Sequence, residues 1–155
     1  MDNDENTEWR RVVATSPQLS FSMPPDWDTV AVRDSVIAAV SPQIDEERYR
    51  SNVTIAETPL SVVGDLENFG DEHLRELERV LTDFQLIEVS DAQVGRLPGI
   101  RVTASFRQGL YDLTLDEWLG LSDATMVTAT AIAADFDYPD RVASFEQIVA
   151  SIGDA

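Results

Sequence analysis

The strongest constraint in this chain is a pair of alternating runs that meet at Gly109-Leu110. Residues 100–108 and 111–119 alternate polar and apolar side chains, the period of strands with two unlike faces. A two-residue loop with glycine first suits a type II′ hairpin, because glycine takes positive φ there without steric cost. Fixing the turn fixes the register. Arg107 then faces Asp112, Ser105 faces Thr114, Thr103 faces Asp116 and Arg101 faces Trp118. On the other face Phe106 meets Leu113 and Ala104 meets Leu115, which leaves Val102 opposite Glu117 as the one misfit.

The remaining segments extend this sheet. Residues 9–14 read as a first strand, and Leu19, Phe21 and Met23 alternate along a half-buried second one. Pro24-Pro25 stops it, and Trp27 begins a loop into Val30-Ala31-Val32. Asp34-Ser35 suits a tight turn into Val36–Val40, an apolar run of the kind found in strands covered on both faces. Residues 41–51 read as a polar loop, and Asn52–Glu57 as a β-branched strand. The period then becomes helical from Leu66 to about Asp83, with Asp65 as N-cap and Gly70-Asp71 as an internal break. Phe84–Val89 returns to strand, and Leu97-Pro98-Gly99-Ile100 fits a type II turn. A strand over 125–133 and a closing helix from Pro139, with Val142, Phe145, Val149 and Ile152 as its stripe and Gly153 at its end, complete the order. Strands joined by short turns and interrupted by two helices predict an α+β fold with a mainly antiparallel, twisted sheet flanked by helices. Residues 9–155 are expected to form one domain behind a disordered acidic tail at 1–8.

Composition restricts the chemistry. The chain has no Cys, no Lys and one His, with 29 acidic residues against 11 Arg and a net charge of −18. Such a surface repels nucleic acid and anionic lipid. It favours solubility, a basic partner, or a holdase role in which like charge keeps a client dispersed. No run approaches the ~20 apolar residues of a membrane helix, and the start resembles no signal peptide, so a cytoplasmic location is expected.

No catalytic constellation emerges. His73 is the only base a Ser-His-Asp arrangement could use, and it reads as a half-exposed helical residue at the edge of the apolar stripe. Asp135, Asp137, Asp140 and Glu146 imitate part of a calcium loop, but Pro139 and Asp140 occupy positions that need a ligand and a glycine. Asp137 and Asp140 are better placed to serve the N-terminus of the last helix. No metal and no cofactor is expected. The candidate protein-binding residues are Trp27, Arg101 and Trp118, because aromatics beside Arg typify binding hot spots. The structural alternative makes Trp27 a lid on the core and Arg101–Trp118 a cation–π pair.

With the elements placed, the chain resembles the PsbP-like superfamily of Mog, DcrB and LpqN-type folds. The resemblance is carried by Leu19-Ser20-Phe21-Ser22-Met23-Pro24-Pro25-Asp26-Trp27, by Arg50-Ser51-Asn52-Val53-Thr54-Ile55, by Leu97-Pro98-Gly99-Ile100-Arg101-Val102 and by the strand-then-helix ending at 125–152. It spans about residues 10–152 and implies an α/β/α sandwich with a non-enzymatic role. Members bind proteins or act as accessory factors, and one bacterial branch consists of acidic chaperones whose concave sheet holds apolar helices. The expected function is therefore a protein-binding adaptor or secretion chaperone, for a partner that is basic or presents an apolar helix; a homodimer is compatible with this. The alternative is a small-molecule or lipid carrier, which requires an enclosed apolar pocket between sheet and helix. An enzyme working through carboxylates alone is the third reading.

Overall fold

The computed structural model describes residues 8–45, 48–63 and 66–154. Among these described residues, ten strands and three helices follow one another as β1 (Arg10–Val13), β2 (Leu19–Met23), β3 (Asp28–Arg33), β4 (Val36–Val40), β5 (Asn52–Pro59), α1 (Leu60–Val63), α2 (Leu66–Val80), β6 (Thr82–Val94), β7 (Leu97–Gln108), β8 (Tyr111–Leu121), β9 (Thr125–Ala134), α3 (Tyr138–Ala150) and β10 (Gly153–Asp154). Seven strands form one sheet in the order β3-β4-β5-β9-β8-β7-β6, and β1-β2-β10 form a second. Every strand pairing is antiparallel. The α+β expectation stands, with the second sheet as an addition.

The hairpin register is the one the alternation requires. Arg107 pairs with Asp112, Thr103 with Asp116, Arg101 with Trp118 and Val102 with Glu117. Gly109 has φ of 59°. Leu110 is not among the positive-φ residues, as a type II′ turn demands.

The turn expected at Leu97–Ile100 is a correction. The chain reverses at Gly95-Arg96, where Gly95 has φ of 58° and Val94 pairs with Leu97. Pro98 and Gly99 lie inside β7, and Gly99 is there for space. A Cβ on it would fall 1.7 Å from the Leu119 carbonyl oxygen.

The helices also differ in detail. α2 runs through Gly70-Asp71 without a break and stops at Val80. α3 ends at Ala150 with Ser151 as its cap, and Gly153 belongs to β10. Asp137 occupies the N-cap position of α3 but makes no side-chain capping bond; it accepts from Arg48 at 2.9 Å. Val36–Val40 is buried at three of five positions, so its two faces are only partly covered. Residues 1–7 of the acidic tail expected at 1–8, the Asp65 cap and Glu46-Glu47 lie outside the described residues.

Strand parity assigns the core. Val53, Ile55, Ala129, Ala131, Ala133 and Trp118 share one face of the large sheet through the registers of β5, β9 and β8. They pack with Leu19, Phe21 and Met23 of the small sheet and with Phe145, Ile148 and Val149 of α3. Phe106, Leu113 and Leu115 point to the opposite face and form a smaller cluster with Ala134. α2 lies on that second face, since His73 reaches Glu117 of β8.

Candidate functional site

The two central residues of β8, Asp116 and Glu117, are buried acids pointing to opposite faces of the sheet. A buried carboxylate must be paired and hydrogen-bonded or it costs several kcal/mol, roughly. Each of these is.

Asp116, 0% exposed, faces the α3 side. Arg101 grips it with two parallel bonds, Nε to Oδ1 at 3.1 Å and Nη2 to Oδ2 at 2.9 Å. The Thr103 hydroxyl donates to Oδ1 at 2.5 Å, and the Tyr138 hydroxyl donates to Oδ2. Arg101 also reaches Glu146 of α3 at 3.5 Å and stacks over Trp118 with 4.6 Å to the ring centroid. Burial disfavours charge on Arg101, but bonding and attraction to Asp116 outweigh it, and the guanidinium is held still more firmly charged. Burial and the bond to Asp116 both push the Tyr138 hydroxyl above the usual phenol range. Four donor contacts occupy this carboxylate, which leaves it little capacity to act as a base toward a substrate.

Glu117 faces α2. His73 Nε2 bonds to Oε1, and Thr130 Oγ1 donates to Oε2 at 2.7 Å. The misfit in the hairpin is thus resolved from outside it, since the acid opposite Val102 is held by the chain's single histidine. The bond to Glu117 raises the His73 pKa; burial opposes this, and the charges of Glu117 and Glu76 add to the rise. Phe69 stacks on the imidazole at 5.6 Å between centroids.

The three sequence candidates do not form a surface. Trp27 is 2% exposed and packs edge-on against Phe145 at 6.4 Å. Trp118 is 4% exposed. As candidate binding residues both are withdrawn from the surface and lie in the core, because α3 and the small sheet cover their face. Only Arg101 of the three keeps partial access, and its guanidinium is committed to Asp116. Burial fits the structural alternative weighed for them.

Exposed apolar side chains gather elsewhere. Val80 ends α2, and Leu86, Ile87 and Val89 lie on β6, the edge strand of the large sheet; these four are 45–61% exposed. Leu110, at the hairpin tip, is fully exposed. A groove of about 350 Å³ is lined by Val80, Leu81, Thr82, Phe106 and Gly109; Leu110 follows it in the hairpin tip, and Leu86, Ile87 and Val89 lie further along β6. Sequence reasoning missed this corner because Leu86 and Val89, at an odd spacing, share a face only through the bulge between Leu86 and Glu88, which leaves no local pattern. The available signal was Leu86-Ile87, two adjacent apolar residues that a strand with one polar face would not carry side by side.

A second cleft of about 490 Å³ lies where β10, the end of α3 and the β6–β7 turn meet. Leu19, Val94 and Ile152 are among its lining residues, and Arg11, Glu57, Arg96 and Asp154 bring charge to it. It is not the enclosed apolar chamber that a lipid carrier needs. Among the described residues no group of three or more His, Cys, Asp or Glu side chains could hold a metal ion. No helix among them is long and apolar enough to cross a membrane.

No family model matches the sequence, and no curated protein matches it. Solved structures do match. The Ran-binding protein Mog1p of Saccharomyces cerevisiae superposes with a TM-score of 0.64 at 12% identity, covering 95% of each chain. LpqN of Mycobacterium tuberculosis, a protein involved in cell envelope biogenesis, gives 0.63 at 18% identity over 94% of this chain and 89% of its own. The cyanobacterial PsbP of Synechocystis gives 0.62 at 13% identity over 96% of this chain and 94% of its own.

The chain has the PsbP/Mog1 fold. At these identities the likeness fixes architecture and leaves function to the surface. In this PsbP/Mog1-fold chain the largest investment of buried polar groups lies at Asp116 and Glu117, where it holds a helix to each face of the sheet.

Proposed function

We propose that the chain is a non-enzymatic, protein-binding accessory domain that docks a partner at the corner formed by the end of α2, β6 and the β7–β8 hairpin tip. The carrying observation is that Val80 lines the groove, Leu110 adjoins it at the hairpin tip, and Leu86, Ile87 and Val89 are exposed along the neighbouring edge strand. Clustered exposed apolar side chains with a polar surround mark interaction sites, whereas scattered ones do not. The partner is basic. α2 from Asp71 onward and β6, the elements that border the corner, carry Asp71, Glu72, Glu76, Glu78, Asp83, Glu88 and Asp91 against Arg75 and Arg79. Such a surround speeds encounter with a cation-rich surface and rejects acidic ones. Two further observations support the reading: the buried acids are engaged by their own neighbours, and one structure of this fold is named for binding Ran.

A photocrosslinking side chain placed at Ile87 in the native cell tests it. Capture of one dominant polypeptide there, absent at Val30 on the opposite sheet edge and abolished by Leu110→Asp, is the expected result. Equal capture at both edges, or turnover of any small molecule by the purified protein, overturns it.

A further inference from the structure

We propose that β6 receives an extended, basic segment of the partner as an eighth strand of the large sheet. This rests on the protein-binding reading above and specifies how the partner engages. β6 is the longest strand at 13 residues and lies at the sheet edge. Its backbone pairs with β7 on one side, and no other backbone bond among the described residues reaches it between Phe84 and Val94. An open row of amides and carbonyls of this kind templates another strand.

The two halves of β6 differ. Both register shifts fall between Thr82 and Glu88, where Asp83 has φ of 55°, and such bulges twist an edge away from pairing. From Glu88 to Val94 the residues pair one for one with Thr103 to Leu97. That regular stretch is roughly 23 Å long at about 3.3 Å per residue, enough for three or four ladder bonds on its outer side. The opposite edge, β3, is six residues long and has its own shift between Ala31 and Arg33. It offers less.

Charge selects the occupant. β6 carries Asp83, Glu88 and Asp91 and no cation. Glu88 points to the α3 face and Asp91 to the α2 face, with Val89 between them beside Leu86, as their β7 partners require. An added strand therefore meets a carboxylate on each face and an apolar contact on the α2 side. Lys or Arg alternating with Val or Ile satisfies all three. A second copy of this chain would bring the same acids against themselves at a net charge of −18, which disfavours self-pairing.

The test uses the whole protein and a peptide of about ten residues alternating Lys and Val. The controls are a Glu-Val version and a Lys-Val version with two central prolines. Amide exchange read by NMR should slow by about tenfold at alternate residues between Glu88 and Val94, with β3 unchanged. Both control peptides should give no protection. The double variant Glu88→Arg/Asp91→Arg should weaken binding by about tenfold or more, and raising salt from about 0.05 to 0.5 M should weaken it several-fold. Binding that perturbs only the Val80–Gly109 groove overturns strand addition and leaves the protein-binding reading intact. Edge protection that instead grows with protein concentration alone makes a second copy the occupant and overturns the basic-partner assignment. No protection with any peptide also overturns it.

Discussion

Asp116 and Glu117 are neighbours in sequence, both buried, and one peptide bond separates two different solutions to the same electrostatic problem. On the α3 side the carboxylate is matched by a guanidinium that stays charged at any pH the fold will meet, and two hydroxyls fill its remaining lone pairs. On the α2 side it is matched by an imidazole whose charge comes and goes near neutrality. The first clamp is permanent and the second is conditional. α3 therefore belongs to the fixed body of the molecule, whereas the attachment of α2, the helix that borders the proposed docking corner, responds to pH.

The sharpest way to break this contrast is to remove the permanent partner. Arg101→Leu leaves Asp116 charged at 0% exposure with two hydroxyls and no cation. Truncating one member of a buried pair typically costs about 3–5 kcal/mol, because the other charge stays desolvated. Chemical denaturation should show a loss of that order with little change in m-value. The reciprocal Asp116→Asn should cost less, because Arg101 keeps Glu146 within 3.5 Å and partial access to water. If the two substitutions cost the same, burial of the carboxylate is not what makes this face rigid.

The conditional clamp yields a pH signature. The folded pKa of His73 is raised above its ordinary value of 6.5, first by the bond to Glu117. Its charged form is therefore favoured by folding. The resulting stability is fully present below about 6.5 and is lost as pH climbs through the folded value. Among side chains no other imidazole or thiol titrates there, since the chain has one His and no Cys. Glu117→Gln should lower stability at pH 6 by about 1.5–3 kcal/mol, the scale of a hydrogen bond to a charged group. It should also flatten the slope between pH 6 and 8. A variant that keeps the wild-type slope would show that the imidazole does not sense Glu117.

What could be read from the sequence divides along the same line. The β7–β8 register was legible in full because a two-residue turn is local, and one glycine with two alternating runs determines every pair across it. The cation–π pair of Arg101 and Trp118 followed from that register. The burial of Trp118 did not, because an aromatic beside an arginine looks alike in a core and at an interface until α3 and the small sheet are placed. Pro98-Gly99 imitated a turn, yet Gly99 is needed for the close approach of the Leu119 carbonyl, a tertiary demand that leaves no local pattern. His73 and Glu117 are 44 residues apart. The signal that joins them was present as an unexplained acid on an apolar strand face and a lone histidine on a helix, and only the packing of α2 on that face connects the two.

The same hairpin also supplies its own exposed control. Arg107 and Asp112 face each other four residues from Thr103 and Asp116, in the same register and on the same face, at 3.1 Å. Their side chains are 55% and 62% exposed. Water already solvates both charges, so the pair gains little Coulomb energy and orders two flexible side chains to obtain it. Arg107→Gln should therefore change stability by no more than about 0.2–1 kcal/mol, and added salt should erase the difference. Distance alone would rank this pair with Arg101–Asp116, since each has an Nε to Oδ1 bond of 3.1 Å. A loss approaching that of Arg101→Leu would mean that cross-strand pairing itself, and not desolvation, sets the energy of both, and the distinction between the fixed and exposed ends of the hairpin would fail.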